Sequence, residues 1–396
     1  MNRPEKSSMR KHWGLDDRII FLNHGSYGAT PTIVMDEQKR WQDLMEKDPV
    51  EFYEEIAPEA LLQSRKAIAK LVNCHHDDLA LIENATSGVN AVLRSLEFEK
   101  GDEIIVPNHS YQACRNTIDF VAKKWGVVVI TCDIPFPIES NQIIIDRVMK
   151  CVSKNTKLAM IDTVTSPTGI RMPFEKLIQL LESRGVNVLL DAAHGIGMIP
   201  LNLDAMGASY TTSNCHKWLC APKGTAFLHV RKDLQELIHP LVISHGMTFP
   251  LGETTRFRHE FDWTGTRDIS AWCILPFLIK EISQLAEMNW DEIMQHNKTL
   301  AIKGRNIICN ELNIVPPCPD EMISSIATIK ISPKLIENHN LHEPDPLHLE
   351  LLKNHKIQVP VWSWPNPDGR YIRISSQLYN HEDEYKYLAS ILKKCL

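Results

Sequence analysis

Two ionisable residues, Lys217 and Asp191, lie in sequence surroundings that would partly remove them from water. Lys217 lies between apolar stretches, where desolvation would lower its pKa and make it a Schiff-base amine. Lys223 is the competing amine, but its Pro/Gly turn is typical of a solvated lysine. Asp191 closes the apolar run 186–190, where a carboxylate is costly unless it meets a cation such as a protonated pyridine nitrogen. An ordinary helix cap is the alternative for Asp191.

Three other segments carry groups that could bind anions. Residues 84–88 follow an apolar run and open a helix, so the backbone amides of Ala85 and Thr86 and the Thr86 hydroxyl could bind phosphate. An ordinary helix N-cap is the alternative there. Residues 264–266 offer a second Gly-Thr contact. Arg373 is flanked by apolar residues and could bind a substrate carboxylate through two nitrogens, with a surface ion pair as the alternative.

The elements that must position these groups follow from the hydrophobic pattern. Short apolar runs bounded by polar residues predict buried strands. They cover Ala80–Glu83, Glu103–Pro107, Val127–Cys132, Leu158–Thr163 and Val186–Leu190. Amphipathic stretches such as Pro173–Arg184 predict helices between them. This alternation indicates an α/β fold with a mostly parallel central sheet and flanking helices, whose ligand site lies beyond the carboxyl ends of the strands.

The pattern changes after residue 269. Long helices are predicted over Ala271–Glu287, Trp290–Leu312 and Glu382–Leu396, and strands over Ile323–Ile331, Lys356–Ser363 and Tyr371–Ser375. Segments 313–322 and 333–346 are rich in Pro, Asn, Asp and Glu and indicate loops. We therefore predict an N-terminal arm (1–20), a large α/β domain (21–268) and a small α+β C-terminal domain (269–396).

Composition excludes several classes of partner. The chain has 396 residues, and its 43 basic and 49 acidic residues give a formal charge of −6, which is unfavourable for nucleic-acid binding. The sequence contains neither a membrane-spanning apolar run nor a secretory signal, so we expect a cytoplasmic protein. The ten cysteines form no C-x-x-C pair and are expected to be reduced. None is predicted to act in catalysis.

Two charged clusters are predicted to be ordinary surface. Residues 74–78 (Cys-His-His-Asp-Asp) resemble a metal site, but adjacent residues rarely converge on one ion. We therefore favour a solvated helix end and expect no metal. Arg256, Arg258 and His259 could bind a second acidic group of a substrate, but a surface charge run is the preferred interpretation.

The order of these features resembles the class V branch of the aminotransferase superfamily, whose members use pyridoxal 5′-phosphate. An anion-binding helix start is followed by an aromatic residue, an aspartate, a lysine, a Gly-Thr pair and an arginine. The segments most similar to the isopenicillin N epimerase-like subgroup are 23–26, 165–169, 216–219 and 264–268.

The resemblance implies roles at the cofactor. Lys217 would hold it as an internal aldimine and remove the substrate α-proton, while Asp191 would keep the pyridine nitrogen protonated. Ala85 and Thr86 would bind the phosphate. Further cofactor contacts are implied for Tyr111 against the ring, Ser166 and His194 near the ring hydroxyl, and His216 and Thr266 at the phosphate. Thr266 would reach the neighbouring subunit, because family sites lie at a homodimer interface.

The resemblance also implies an amino-acid substrate. Arg373 would hold its carboxylate, and the backbone of Asn23, His24 and Gly25 would close the pocket. Asn214 departs from the family, in which a serine or other small residue often touches the phosphate. Residues 354–371 lack the cysteine that desulfurases of this class use, so a desulfurase is disfavoured.

Three reactions start alike at the α-carbon. Epimerisation, the first choice because of the subgroup motifs, needs a second acid, for which Tyr111, Tyr27 and His24 are candidates. β-Elimination by a C–S lyase or cysteine desulfhydrase needs only a leaving group, and transamination needs proton return to the cofactor. A non-catalytic scaffold is disfavoured because Lys217 and Arg373 are intact.

Overall fold

The computed structural model describes residues 3–252, 254–332, 343–364 and 369–396. The strands are β1 Ile20–Phe21, β2 Leu79–Ile82, β3 Glu103–Pro107, β4 Val128–Cys132, β5 Thr156–Asp162, β6 Asn187–Ala192, β7 Tyr210–Asn214, β8 Ala226–Val230, β9 Ile326–Ser332, β10 Ile357–Gln358, β11 Val361–Ser363 and β12 Arg370–Ser375. The α-helices are α1 His24–Tyr27, α2 Thr32–Lys47, α3 Pro49–Glu51, α4 Ala57–Val72, α5 Ala85–Ser95, α6 Gln112–Trp125, α7 Asn141–Lys150, α8 Phe174–Glu182, α9 Leu203–Met206, α10 Arg256–Asp262, α11 Ser270–Cys273, α12 Leu275–Ala286, α13 Trp290–Leu312, α14 Pro346–His355 and α15 Glu382–Cys395.

The central sheet has seven strands in the order β2-β8-β7-β6-β5-β3-β4. The strands from β7 to β4 pair in parallel, while β8 pairs antiparallel with both β7 and β2. Successive residues of one strand enter different apolar clusters: Leu190 packs in one and Leu189 in the other. Both faces are therefore covered, which explains the nearly continuous apolar runs. The predicted α/β fold with a mostly parallel sheet is confirmed.

Two strands of this sheet carried no clear signal in the sequence. β7 reads Tyr-Thr-Thr-Ser-Asn, yet all five residues are buried. Two of its hydroxyl groups have partners: Thr212 Oγ1 donates to the carbonyl of Phe227 at 3.1 Å, and Ser213 Oγ donates to the carbonyl of Ala192. The buried hydroxyls of Tyr210 and Thr211 have no hydrogen-bond partner among the described residues. β8 returns antiparallel beside it and departs from the β-α alternation. A search for apolar runs misses a buried strand that is built mostly from polar residues.

The C-terminal part contains a three-stranded antiparallel sheet in the order β11-β12-β9. Helices α13 and α15 match their predicted spans closely, whereas α14 begins at Pro346, where the sequence indicated a loop. Most of the predicted loop 333–346 lies outside the described residues. β1 pairs in parallel with β10, so residues 20–21 join the C-terminal part. The domain boundaries remain a prediction.

None of the described helices is long and apolar enough to cross a membrane.

Candidate active site

Functional side chains gather at the carboxyl ends of neighbouring strands, as the α/β rule predicts. Asp162 ends β5, and its register partner Asp191 lies near the end of β6. Asn214 ends β7, and the following turn carries Lys217. Helix α5, which begins at Ala85, packs against β6, β7 and β8. The sheet thus brings the predicted lysine, aspartate and anion-binding helix start to one edge.

Lys217 lies in a polar relay with His194 and Trp218. Its Nζ is 3.3 Å from Nε2 of His194, and the indole Nε1–H of Trp218 donates to His194 Nδ1 at 3.0 Å. Burial, followed by the charge of Lys217, lowers the pKa of His194 well below its usual value, so the ring is neutral. Since Nδ1 accepts, the ring proton lies on Nε2 and donates toward the amine of Lys217.

Lys217 loses its proton more readily than a solvated lysine. Burial lowers the pKa of Lys217 to about 8, with Arg373 adding to the effect and Asp191 opposing it. A donor at His194 Nε2 favours the amine lone pair over an ammonium, which has no acceptor site. Lys223, the competing amine, is exposed.

Asp191 is 4% exposed and accepts two hydrogen bonds. The backbone N–H of Ala193 donates to its Oδ1 at 2.9 Å, and the thiol of Cys114 donates to its Oδ2 at 3.3 Å. Burial raises the pKa of Asp191, while these donors and the charge of Lys217 lower it. A cation placed beside this carboxylate would be stabilised, because burial makes the charged form of an acid costly.

The start of α5 is only partly available to an anion. The backbone N–H of Ala85 donates to Oδ1 of Asn214 at 2.8 Å, and that of Ser87 donates to Oδ1 of Asn84 at 2.8 Å. Among the described residues, no hydrogen bond occupies the amide of Thr86. The predicted contact from the Ala85 amide is therefore wrong, because Asn214 already accepts its proton. Thr86 keeps both its amide and its hydroxyl for an anion.

His216 adjoins this region with one nitrogen committed. Its Nδ1 donates to the carbonyl of Thr225 at 2.9 Å. Burial is the main reason that the pKa of His216 falls to about 4. Its Nε2 forms no hydrogen bond among the described residues and is the atom that could meet a ligand.

Arg373 is held by hydroxyl and carbonyl groups. Its guanidinium donates to the carbonyl of Ser166, to Ser166 Oγ at 3.3 Å and to Ser26 Oγ at 3.2 Å, and it lies 5.4 Å from the ring centre of Trp362. Burial lowers its pKa to about 10. Its buried Nε has no hydrogen-bond partner among the described residues. A buried arginine with spare donors suits a carboxylate ligand, and the surface-pair alternative is wrong.

His24 is not available to bind a ligand. It is fully buried; its Nε2 donates to the carbonyl of Lys217 at 2.9 Å and its Nδ1 accepts from the hydroxyl of Tyr379 at 2.8 Å. Burial lowers its pKa to about 3. The suggestion of His24 as a second acid is therefore wrong, because both nitrogens serve the turn that carries Lys217. Next to it, the Gly25 amide donates to Ser375 Oγ at 3.1 Å and is occupied as well.

The remaining predicted residues differ in their placement. Asn23 is buried, and its Oδ1 accepts from Ser26 Oγ at 2.6 Å. Tyr111 is 48% exposed, and its pKa is raised by burial and by nearby Cys114, Tyr27 and Asp191.

Thr266 is exposed, and no contact within the described part of the chain links it to Lys217. Its implied role in a neighbouring subunit remains a prediction.

Sequence reasoning missed three contributors: Cys114, Trp218 and Asp162. Each touches a predicted residue from a distant element, and an isolated cysteine or tryptophan gives no signal of such a contact. Nor did the sequence reveal that Arg258 is buried, donating to the carbonyl of Leu79 and to Asp262. The surface charge run is therefore wrong at Arg258.

The cluster after α4 is close in space as well as in sequence. Possible ligand atoms of His75, His76 and Asp77 lie within 4.8 Å of one another, so adjacency does not keep them apart as we had argued. His75 is exposed and caps the short 3₁₀ helix His76–Asp78, which follows Asn73, the left-handed residue that ends α4; His76 and Asp77 are partly exposed. A solvated helix end remains the prediction.

The structure brings a buried acid, a desolvated lysine and the start of a helix to one edge of a mostly parallel sheet, which is the arrangement that the resemblance implied. The sequence model of the class-V aminotransferase family matches residues 43–387. The chain therefore belongs to this family and is a pyridoxal-phosphate-dependent enzyme, as predicted.

Three similar proteins illustrate the range of the family. A probable chloroplastic L-cysteine desulfhydrase of Arabidopsis thaliana is 30% identical, covering 94% of this chain and 82% of that protein. An isopenicillin N epimerase of Amycolatopsis lactamdurans is 28% identical, covering 98% of both chains. The solved cystine C–S lyase C-DES, in complex with its product cysteine persulfide, has a TM-score of 0.78 at 17% identity, covering 96% of this chain and 98% of that chain.

Proposed function

We propose that the protein is a pyridoxal-phosphate-dependent C–S lyase that catalyses β-elimination from a cysteine-like amino acid. The observation that carries this choice is that both ring nitrogens of His24 are occupied by hydrogen bonds inside the protein. Lys217 is then the group placed for proton transfer. β-Elimination needs one base at the α-carbon and a sulfur leaving group. Epimerisation needs an additional acid on the opposite face, and one of its three candidates is lost.

The residues fit the cofactor in their chemistry. Thr86 offers an unoccupied amide and hydroxyl to the phosphate, and Asp191 offers a buried carboxylate to the pyridinium. Lys217 supplies the amine for covalent attachment, and Tyr111 would lie against the ring. Bound there, pyridoxal phosphate supplies an electron sink for the charge that develops at the substrate α-carbon.

The substrate would be oriented by Arg373. Its guanidinium would hold the α-carboxylate, and its stacking on Trp362 limits the orientations that the bound substrate can take. Lys217, as a neutral amine beside His194, would remove the α-proton. Loss of the thiol or thiolate from the β-carbon then completes the elimination, and water converts the released fragment to pyruvate and ammonia.

Epimerisation is the second candidate. Burial is the main cause of the raised pKa of Tyr111, with smaller contributions from Cys114, Tyr27 and Asp191, so this phenol would keep its proton and could return it from the other face. The epimerase relative, which matches the whole chain, supports keeping this candidate.

One incubation separates the candidates. Purified holoenzyme is mixed with L-cysteine, an S-alkyl cysteine or a non-thiol amino acid in deuterated water, and the products are followed by NMR. Pyruvate with released thiol or sulfide supports the lyase. Deuterium at the α-carbon with racemisation and no pyruvate would contradict it in favour of the epimerase, and accumulation of the pyridoxamine form would favour transamination. Lys217→Ala serves as the inactive control.

We further propose that the enzyme is a cytoplasmic homodimer in which Thr266 serves the neighbouring site. Sedimentation of the native chain tests the dimer. Mixing a Thr266→Ala chain with a Lys217→Ala chain tests the shared site, because activity should differ from the average of the two separate preparations.

A further inference from the structure

Asp162 is a buried acid that the proposed reaction does not use. It is 3% exposed at the end of β5 and pairs in register with Asp191 on β6, so the two carboxyl groups lie side by side on one face of the sheet. Burial and the neighbouring Asp191 raise the pKa of Asp162 well above its usual value. Burying a second acid beside the first is unfavourable, so we expect a hydrogen-bond partner that stabilises it.

That partner is Ser110. The hydroxyl of Ser110 donates to Oδ2 of Asp162 at 2.7 Å. Among the described residues, no other side chain forms a hydrogen bond with Asp162, whereas Asp191 accepts from both Ala193 and Cys114. The side chain of Asp162 therefore acts through residue 110.

Ser110 lies in the loop that delivers Tyr111 to the site. On one side of it, His109 is fully buried; its Nε2 donates to the carbonyl of Ile134 at 3.0 Å and its Nδ1 accepts from Thr168 at 2.8 Å. On the other side, Tyr111 is the N-cap of α6 and is 48% exposed. The ring of Tyr111 is thus the least confined part of a loop whose preceding residues are fixed.

We propose that Asp162 is a positioning residue that fixes Tyr111 over the cofactor ring through the hydroxyl of Ser110. This rests on the proposed role of Tyr111 in the function above. The bond between residues 110 and 162 closes the gap between the anchored His109 and the first turn of α6. Without it, the backbone at residue 110 could rotate, and the tyrosine ring would sample orientations away from the site.

The chemistry of the anchor dictates the conservative variant. An acceptor oxygen at residue 162 is sufficient for the bond, and a neutral carboxyl and an amide both provide one. Asp162→Asn should therefore preserve the anchor, and Asp162→Val should remove it at similar size. Ser110→Ala removes the same bond from the other partner with a smaller change, which covers the case in which the valine variant folds poorly.

The test measures cofactor affinity and the visible circular dichroism of the bound cofactor in holoenzyme. Asp162→Val and Ser110→Ala should each weaken pyridoxal-phosphate binding about tenfold and reduce the dichroism, since an oriented aromatic contact is worth about this factor. Asp162→Asn should stay within about twofold of the native protein. In a Tyr111→Ala background, Asp162→Val should weaken cofactor binding no further. Asp162 acts through Tyr111, and the effects of coupled residues are not additive.

Two results would overturn the proposal. One is that Asp162→Val weakens cofactor binding in the Tyr111→Ala background as much as it does alone. The other is that Asp162→Asn binds the cofactor as weakly as Asp162→Val, which would implicate the charge of Asp162 rather than its hydrogen bond. Hydrogen exchange of the peptide covering 107–113 in the cofactor-free protein gives an independent readout: it should be faster in Asp162→Val and Ser110→Ala only. A native protein that binds no cofactor would contradict the proposed function, while the exchange rates would still decide the anchor.

Discussion

The side-chain amine of Lys217 lies 3.3 Å from Nε2 of His194, on the side of the imidazole that carries the ring proton. The proton is there because Trp218 occupies the other nitrogen as a donor. The neutral amine can therefore accept a hydrogen bond from His194, and its pKa is lower than that of a solvated lysine. We expect this hydrogen-bond arrangement to set the pH at which Lys217 becomes a nucleophile.

Covalent attachment of pyridoxal phosphate should depend on pH through Lys217. The attacking species is the neutral amine, and its pKa of about 8 places half-maximal reactivity near pH 8. Below that pH the attachment rate should fall about tenfold per unit, and above it the rate should level off. Stopped-flow absorbance of the apoprotein measures this. A midpoint near 10, as in an ordinary lysine, would contradict the assignment, as would borohydride fixing the label on Lys223.

Trp218→Phe should move that midpoint upward. Without the indole donor, the His194 proton can shift to Nδ1, and Nε2 then accepts from an ammonium and stabilises the charged lysine. We expect a rise of about one pH unit, equal to about 1.4 kcal/mol. Trp290→Phe is the matched control, because its indole donates only to the carbonyl of Ile279. Equal shifts in both variants would show a general packing effect instead.

Cys114 should tune Asp191, although it does no chemistry. Cys114→Ala removes a donor from the carboxylate, which should raise the proton affinity of Asp191, whereas Cys114→Ser supplies a stronger donor and should lower it. The two variants should therefore shift the pH titration of the cofactor's visible absorbance in opposite directions, each by a few tenths of a unit, about the scale of one weak hydrogen bond. Shifts of the same sign would refute the proposed contact.

Arg373→Ala should weaken substrate binding while leaving the cofactor absorbance intact. Loss of a buried charged clamp should raise KM about a hundredfold, and Arg373→Lys should recover only part of it because the two-nitrogen geometry is lost. Arg370→Ala is the control on the same strand, since Arg370 pairs with Asp345. Loss of the visible band in the Arg373 variant, measured at saturating cofactor, would contradict its placement at the substrate.

Much of the fold was predictable because apolar runs and helical stripes are local. Glu103–Pro107 and Trp290–Leu312 match their predicted bounds. The polar strand β7 was missed, because its residues form no apolar run and are buried only by the neighbouring elements of the assembled sheet. Arg258 was misjudged for a similar reason. Charged residues near it in sequence suggested a surface position, but the folded chain buries it against Leu79 and Asp262.

The sequence by itself determined which residue types stand at the strand ends: a lysine, an acid, an anion-binding helix start and a clamp arginine. Only the tertiary structure decided which of their hydrogen-bonding atoms remain unoccupied. Asn214 occupies the amide of Ala85, the turn of Lys217 occupies His24, and Trp218 sets the tautomer of His194. The physical reason is that a donor or acceptor is occupied by a partner that is near it in space. Such partners can be far apart in sequence, as Asn214 and Ala85 are.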